Sequence, residues 1–224
     1  STSIRNKYFT ADKEKRLCTC ISQADGFKKE DIPDVESDIY HLAGLIYGDF
    51  DGELIKFLAT KGKVAVDVQA CLRRADKEGG EMYFADWADK KELLPYVYYL
   101  KTDAAEAEIL TGTTDRKKAA EILLSWGAKE VVITHNTEVL AYDGTTMATC
   151  PIKARNLSGR SGRGDTTFAA YITERKDADL KKALLFATAT VSNKMEKVGP
   201  YRGTRADIEK YIDEFYKEEK EILK

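Results

Sequence analysis

Ser158-Gly159-Arg160-Ser161-Gly162-Arg163-Gly164-Asp165-Thr166 is the one loop of this sequence that does not read as an ordinary turn. An apolar helical pattern follows it, at Phe168, Ala169, Ala170 and Ile172. Three glycines at a helix start leave the backbone N–H groups bare, and the positive end of the helix dipole points the same way, which makes an anion site. Two standard phosphate loops fail against it. The dinucleotide fingerprint G-x-G-x-x-G has the wrong glycine spacing. The nucleotide loop G-x-x-x-x-G-K-[ST] matches at Gly159, Gly164 and Thr166, but Asp165 stands where Lys is required, and a carboxylate there repels the phosphates that Lys would hold. A carboxylate in such a turn can serve differently. It takes the proton from an attacking hydroxyl while backbone amides hold the phosphoryl group. The plainer alternative is that Asp165 only caps the helix.

Working outward, apolar strands alternate with helices. Upstream, Val64–Val66, Val97–Leu100 and Val131–Thr134 read as buried strands, and Ile39–Ala43 as a short apolar run. Asp51–Thr60, Ala104–Thr111 and Asp115–Trp126 read as helices, the last with Ala119, Ile122, Leu123 and Trp126 aligned, and Lys90–Leu94 as a helical turn stopped by Pro95. Asp143-Gly144 is a hairpin turn between Val139–Tyr142 and Met147–Arg155. Downstream, two long helices are predicted, Ala178–Lys197 and Arg205–Ile222. Apolar strands separated by helices indicate a mostly parallel sheet covered on both faces, an α/β fold. At the N-terminus, Ile4–Thr10 and Leu17–Ser22 read as two strands around the charged turn 11–15. This gives a small β appendage, residues 1–22, on an α/β core, residues 23–224.

Composition restricts the function further. The 224 residues carry 36 Lys and Arg against 38 Asp and Glu, a net charge of −2. Such a chain has no electrostatic footprint for nucleic acid or an anionic membrane, and no apolar run approaches the ~20 residues of a membrane span. The close cysteine pair is C-x-C: Cys18 and Cys20 share one face of an extended strand. Small buried hydrophobes explain them better than a thiolate pair. His41 and His135 lie in strand-like runs without zinc spacing and read as structural. With no disulfide framework and no signal-peptide pattern, a cytoplasmic setting is expected.

Gly162-Arg163-Gly164-Asp165-Thr166 and the apolar helix after it resemble the G-A-G-D signature of the PfkB/ribokinase-like carbohydrate kinases. Other segments match in the right order. Asp103–Gly112 resembles the N-x-x-E segment with its L-T-G. Gly127–Thr134 resembles the strand leading to the nucleotide-contacting T-x-G. Residues 187–203, with Ser192-Asn193-Lys194 and Gly199-Pro200, resemble the C-terminal nucleotide segment, and residues 1–22 the β lid over the sugar. The resemblance implies a three-layer α/β/α sandwich, a nucleotide-binding core, ATP and Mg²⁺ as cofactors, and phosphoryl transfer to a hydroxyl of a sugar or polyol. Asp165 would be the base, with Gly162, Arg163 and Gly164 as the anion hole. Thr134, Asn136, Asn193 and Gly199 would bind the nucleotide. Glu106, with Asp103 beside it, would organise Mg²⁺ through water. A homodimer paired through the lid is one assembly the resemblance implies.

The chain also departs from that pattern. The usual Asn is Asp103, the T-x-G glycine is Asn136, the Ala of G-A-G-D is Arg163, and the Asp that often opens the motif is Gly159. Arg163, with Arg160 nearby, is expected either to offset the negative charge added at Asp103 or to act as a phosphate clamp. The βαβ opening that supplies most sugar-specificity residues is not visible before Ser1, so the match is to about the C-terminal two thirds of a typical member, and this stretch alone is expected to bind nucleotide poorly and sugar hardly at all. Two alternatives stand beside a sugar kinase: a non-catalytic nucleotide- or sugar-binding member, and a nucleoside or vitamin kinase on the same fold.

Overall fold

The computed structural model describes residues 1–9, 16–76 and 80–222. The predicted charged turn 11–15 lies outside the described residues. The chain divides into two compact units, residues 1–100 with 126–128, and residues 101–125 with 129–224.

In the first unit, β1 (Ser3–Tyr8) and β2 (Arg16–Ser22) pair antiparallel, with Asn6 opposite Cys18. Cys18 and Cys20 are half-buried there, not buried as expected: a two-stranded ribbon has no second layer over this face, and the Cys18 thiol meets Asn6 Oδ1 at 3.0 Å. β3 (Ile39–Leu42) and β4 (Lys63–Asp67) are parallel neighbours linked through α1 (Gly52–Ala59). Asp51 starts α1 by accepting from Leu54 N–H at 2.8 Å, and Leu54, Ile55 and Leu58 form its buried face. After α2 (Gln69–Leu72) comes a hairpin that sequence periodicity missed, β5 (Arg73–Ala75) with β6 (Met82–Phe84). It is bound to β2 through a Thr19–Glu81 bridge and a Cys20 N–H to Gly80 O bond of 2.7 Å. α3 (Lys90–Leu93) runs into a 3₁₀ turn, Leu94–Tyr96. The α-helix ends before Pro95, as expected, and the proline's fixed φ suits the 3₁₀ turn that follows. This delays the next strand, β7, to Tyr99–Asp103, two residues later than expected.

β7 straddles the division. The sheet runs β3-β4-β7 on the first side. In the second unit follow α4 (Ala104–Thr111), α5 (Arg116–Ser125), β8 (Glu130–Thr134), β9 (Glu138–Tyr142), β10 (Met147–Pro151), α6 (Arg163–Glu174), α7 (Leu180–Met195), α8 (Arg205–Phe215) and α9 (Lys217–Ile222), with strand order β7-β8-β9-β10. The β8–β9–β10 edge is antiparallel. The fold is α/β, a mostly parallel sheet flanked by helices in the three-layer α/β/α manner. Trp126 is not on the apolar face of α5, which ends at Ser125 and buries Ala119, Ala120 and Leu123; the indole instead lies under the Lys90 and Lys91 ammonium groups in the first unit.

α6 and α7 form the main helix pair of the second unit. α7 is buried almost all round, and its hydroxyl residues bond back within the helix: Thr188 to Leu184 O at 2.7 Å, Thr190 to Phe186 O at 2.7 Å, Ser192 to Thr188 O at 2.8 Å. The expected last helix breaks at Tyr216, which leaves α8 to bury its ring and bring its hydroxyl to Ser192 (2.7 Å) and Pro151 O (2.9 Å). Cys71 and Cys150 are buried and all four cysteines are free thiols; burial pushes Cys150 up to about 12. Among the described residues no helix is long and apolar enough to cross a membrane.

Candidate active site

α6 begins where the glycine loop ends. Gly162 is its N-cap, with φ 77°, a left-handed conformation that costs most side chains energy and glycine little. Thr166 N–H closes the first turn onto Gly162 O at 3.0 Å. No side chain caps this helix, so Asp165 is not the cap. It is the third residue of the first turn, and exposed. The amides of Gly162, Arg163 and Gly164 lie at a helix end whose N–H groups lack intrahelical acceptors; that of Arg163 meets Arg160 O at 3.2 Å.

The loop before α6 rests on the end of α7. Gly159 N–H donates to Met195 O at 2.7 Å, and the Ser158 hydroxyl to Glu196 O at 2.8 Å. The glycine at 159 has a steric cause: a Cβ there would lie 1.7 Å from Lys197 O. Lys194 reaches back from α7 into this loop. Its ammonium donates to Gly159 O at 2.5 Å and to Ser161 O. The residue is buried, and burial lowers its pKa against the opposing pull of Asp165.

A second cation stands at the other side of the helix start. Lys101, near the end of β7, is 5% exposed, and its Nζ lies 3.0 Å from where a Gly164 Cβ would sit. Glu106, 2% exposed, has Oε2 at 3.9 Å from the same Nζ. Asp103 and Glu106 cap α4 reciprocally: Asp103 N–H donates to Glu106 at 2.7 Å, and Glu106 N–H to Asp103 at 2.8 Å. Each thus gives part of its carboxylate to the fold. Sequence reasoning missed Lys101 and quoted Lys194 only as part of the Ser192-Asn193-Lys194 segment, with no role of its own. The signals were there, a Lys inside the apolar end of one strand and another among Val191, Ser192 and Met195, but they needed the correct strand register and the folded loop.

The four residues expected at a nucleotide fall into two places. Thr134 is buried at the end of β8, and Asn136, two residues on, accepts from Arg163 Nη1 at 2.9 Å and Arg160 Nη2 at 3.4 Å. Asn193 and Gly199 line a cavity of about 580 Å³, shared with Lys197, Tyr201, Arg202 and Lys210 and not with Thr134 or Asn136. On its rim the Arg155 guanidinium grips Glu196, Nε to Oε1 at 2.8 Å, and holds that carboxyl down at about 2. Among the described residues no three His, Cys, Asp or Glu side chains converge as a metal site.

Among known protein families, the model of the pfkB family of carbohydrate kinases matches residues 4–206. A cytidine kinase of Thermococcus kodakarensis is 36% identical over 85 residues, 37% of this chain, and the match spans about a third (31%) of that relative's length. A solved pyrophosphate-dependent kinase in the ribokinase family, complexed with a pyrophosphate analogue and myo-inositol, superposes with a TM-score of 0.83 at 35% identity, over 93% of this chain and 73% of the other. Arabidopsis thaliana ribokinase, complexed with ribose and ATP, shares the fold: TM-score 0.68 at 18% identity, over 88% of this chain and 65% of that one. With a family match over nearly its whole length, the chain belongs to the pfkB family of carbohydrate kinases.

Proposed function

We propose that this chain moves the terminal phosphoryl group of a phosphoanhydride donor to an alcohol oxygen of a sugar or polyol. The observation that carries the reading is the start of α6: an exposed carboxylate, Asp165, in the first turn of an uncapped helix, with the buried Lys101 ammonium against Gly164. Asp165 takes the acceptor's hydroxyl proton as that oxygen attacks phosphorus. The bond from phosphorus to the bridging oxygen breaks, and its electron pair leaves on the remaining phosphate. Charge on the migrating group meets the amides of Gly162, Arg163 and Gly164 and the Lys101 cation.

ATP with Mg²⁺ is the donor the sequence resemblance implies. Mg²⁺ retains several waters and takes one or two carboxylates with substrate phosphates. Asp103 and Glu106 fit that role only through such waters, since both are engaged in the α4 cap and Glu106 faces Lys101. When bound, the ion would neutralise charge on the donor phosphates.

A second reading of the donor has its own support. Arg163, where the family pattern has Ala, and Arg160 converge on Asn136, which stands where the pattern has Gly. That favours a compact, highly charged donor such as pyrophosphate, the donor named for the relative 35% identical to this chain. The acceptor is a sugar or polyol on this proposal; the cytidine kinase similarity makes a nucleoside the alternative acceptor.

The test is a matrix of donors, ATP and pyrophosphate, against acceptors, myo-inositol, ribose and cytidine, run with the protein and its Asp165→Asn variant. Turnover of one pair, lowered by orders of magnitude in the variant with donor binding kept, supports the assignment. An equal rate in the variant removes Asp165 from the chemistry. No turnover of any pair favours a non-catalytic, ligand-binding member.

A further inference from the structure

We propose that Lys194 is a positioning residue, a built-in monovalent cation that holds the glycine loop in the shape the α6 anion site needs. The proposal rests on the phosphoryl-transfer reading for its link to rate, but not for its link to the loop.

Two backbone carbonyls two residues apart, Gly159 and Ser161, turn their oxygens to the same Nζ. Carbonyl oxygens that converge in this way replace the hydration shell of a small cation. The ammonium is delivered from the last turn of α7, where a positive charge also suits the helix dipole. It lies 3.9 Å from the Gly162 Cβ position, beside the residue whose left-handed backbone starts α6. Lys194 is 3% exposed. Keeping an ammonium out of water is unfavourable unless it is well coordinated, and a loop needing only packing would be served by Met. What the charge adds is fixed direction. It binds the carbonyls of 159 and 161 on one side, which orients the peptide planes leading into Gly162, Arg163 and Gly164.

A prediction follows that packing alone would not make. Truncating the side chain leaves the Gly159 and Ser161 carbonyl oxygens without their cation, at the end of the space the stem had filled; tetramethylammonium, with no N–H and its charge shielded by methyl groups, cannot replace the ammonium on them. Soluble NH₄⁺ or K⁺ should bind there. Lys194→Ala and Lys194→Met are compared with the unaltered protein at constant ionic strength, in ammonium, potassium or tetramethylammonium chloride. Readouts are kcat with the best donor and acceptor, and melting temperature without substrates. For Lys194→Ala, kcat should fall about 10²-fold in tetramethylammonium and recover severalfold in ammonium or potassium, with a matching rise in melting temperature. Lys194→Met, whose stem fills that space, should fold, be slow and respond to neither cation. The unaltered protein should be indifferent to the choice of salt.

Full kcat in Lys194→Met overturns the proposal. So does a Lys194→Ala protein whose rate and melting temperature both ignore the cation. If Lys194→Ala folds only in ammonium or potassium, the proposal is supported; if it folds in no salt, the rate of Lys194→Met decides. If the unaltered protein turns over no substrate pair, the phosphoryl-transfer reading fails, while the cation dependence of the Lys194→Ala melting temperature still tests the role of the lysine.

Discussion

The guanidinium of Arg175, at the C-terminal end of α6, grips both oxygens of Glu130 at the start of β8, Nε to Oε1 at 2.8 Å and Nη2 to Oε2 at 3.0 Å. Tyr171, one helical turn earlier, donates its hydroxyl to the same carboxylate, and burial pushes that hydroxyl's pKa well above its ordinary value. Glu130 is 2% exposed. The helix whose first turn carries Asp165 is therefore fastened to the sheet at its far end. The anchor fixes its axis and leaves the N-terminal turn open to ligands.

Breaking that anchor should cost stability before it costs chemistry. Arg175→Ala leaves a buried carboxylate without its fork partner and is expected to destabilise by about 3–5 kcal/mol, read as a lower urea midpoint with an unchanged slope. Glu130→Gln together with Arg175→Met should recover much of the loss, because no buried charge remains unpaired. A double variant no better than Arg175→Ala would contradict this account.

Acid should loosen the end of α7 through Glu196. The Arg155 bonds lower its carboxyl from an ordinary 4.5 to about 2. A depressed carboxylate contributes stability that is complete above the unfolded value and lost as pH falls through the folded one. The loss therefore falls between about pH 4.5 and pH 2 and amounts to about 2 kcal/mol after allowing for screening on the exposed Arg155 side. In Glu196→Gln the slope of stability against pH should flatten in that window; an unchanged slope would assign the acid sensitivity to other groups.

Two glycines of the loop should respond differently to alanine. Gly162→Ala meets no atom closer than 3.7 Å, so its cost is conformational, about 1–2 kcal/mol for a left-handed backbone, and Gly162→Asn should cost less. Gly159→Ala must displace Lys197 O and should both lower the melting temperature and detach the loop from α7. Amide exchange at Gly159, bonded to Met195 O, reads the second effect directly: faster exchange is expected for Gly159→Ala and not for Gly162→Ala.

Arg163→Ala tests the donor clamp. Removing a guanidinium from a diphosphate contact typically costs about 1.5–3 kcal/mol, so the donor KM should rise by about tenfold or more while kcat changes less. The rise should be larger for pyrophosphate than for ATP, which has further atoms to hold. Unchanged KM for both donors would remove Arg163 from donor binding.

Much of this site was legible because local rules fix it. The Gly162–Thr166 pattern announces a helix start over bare amides. Gly112 ends α4 at φ 74°, the left-handed stop that a glycine just after a helix provides, whereas the reciprocal cap of Asp103 and Glu106, read from the sequence only as a carboxylate pair, came from the structure. What stayed hidden depends on distant parts of the chain. Lys101 gained meaning only once Pro95 had moved β7 by two residues. Lys194 meets carbonyls 35 and 33 residues away. β5 and β6 are three residues each, too short for periodicity, and Tyr216 leaves its helix for partners on β10. The Asn136–Arg163 bond likewise spans 27 residues. Helix starts are written in neighbouring residues, and the groups that give them chemical purpose come from elsewhere.

The contact between Gly159 and Lys197 also constrains how such a sequence can change. With the carbonyl where it is, position 159 admits no side chain, so the acidic residue common there in the family cannot return by one substitution. The end of α7 has to move first, and that end also carries Lys194. The two segments are thus heritable only as a pair. Chimeras of related kinases joined anywhere between residues 159 and 197 should inherit mismatched halves and fail, whereas crossovers outside that interval keep the lock and its key together.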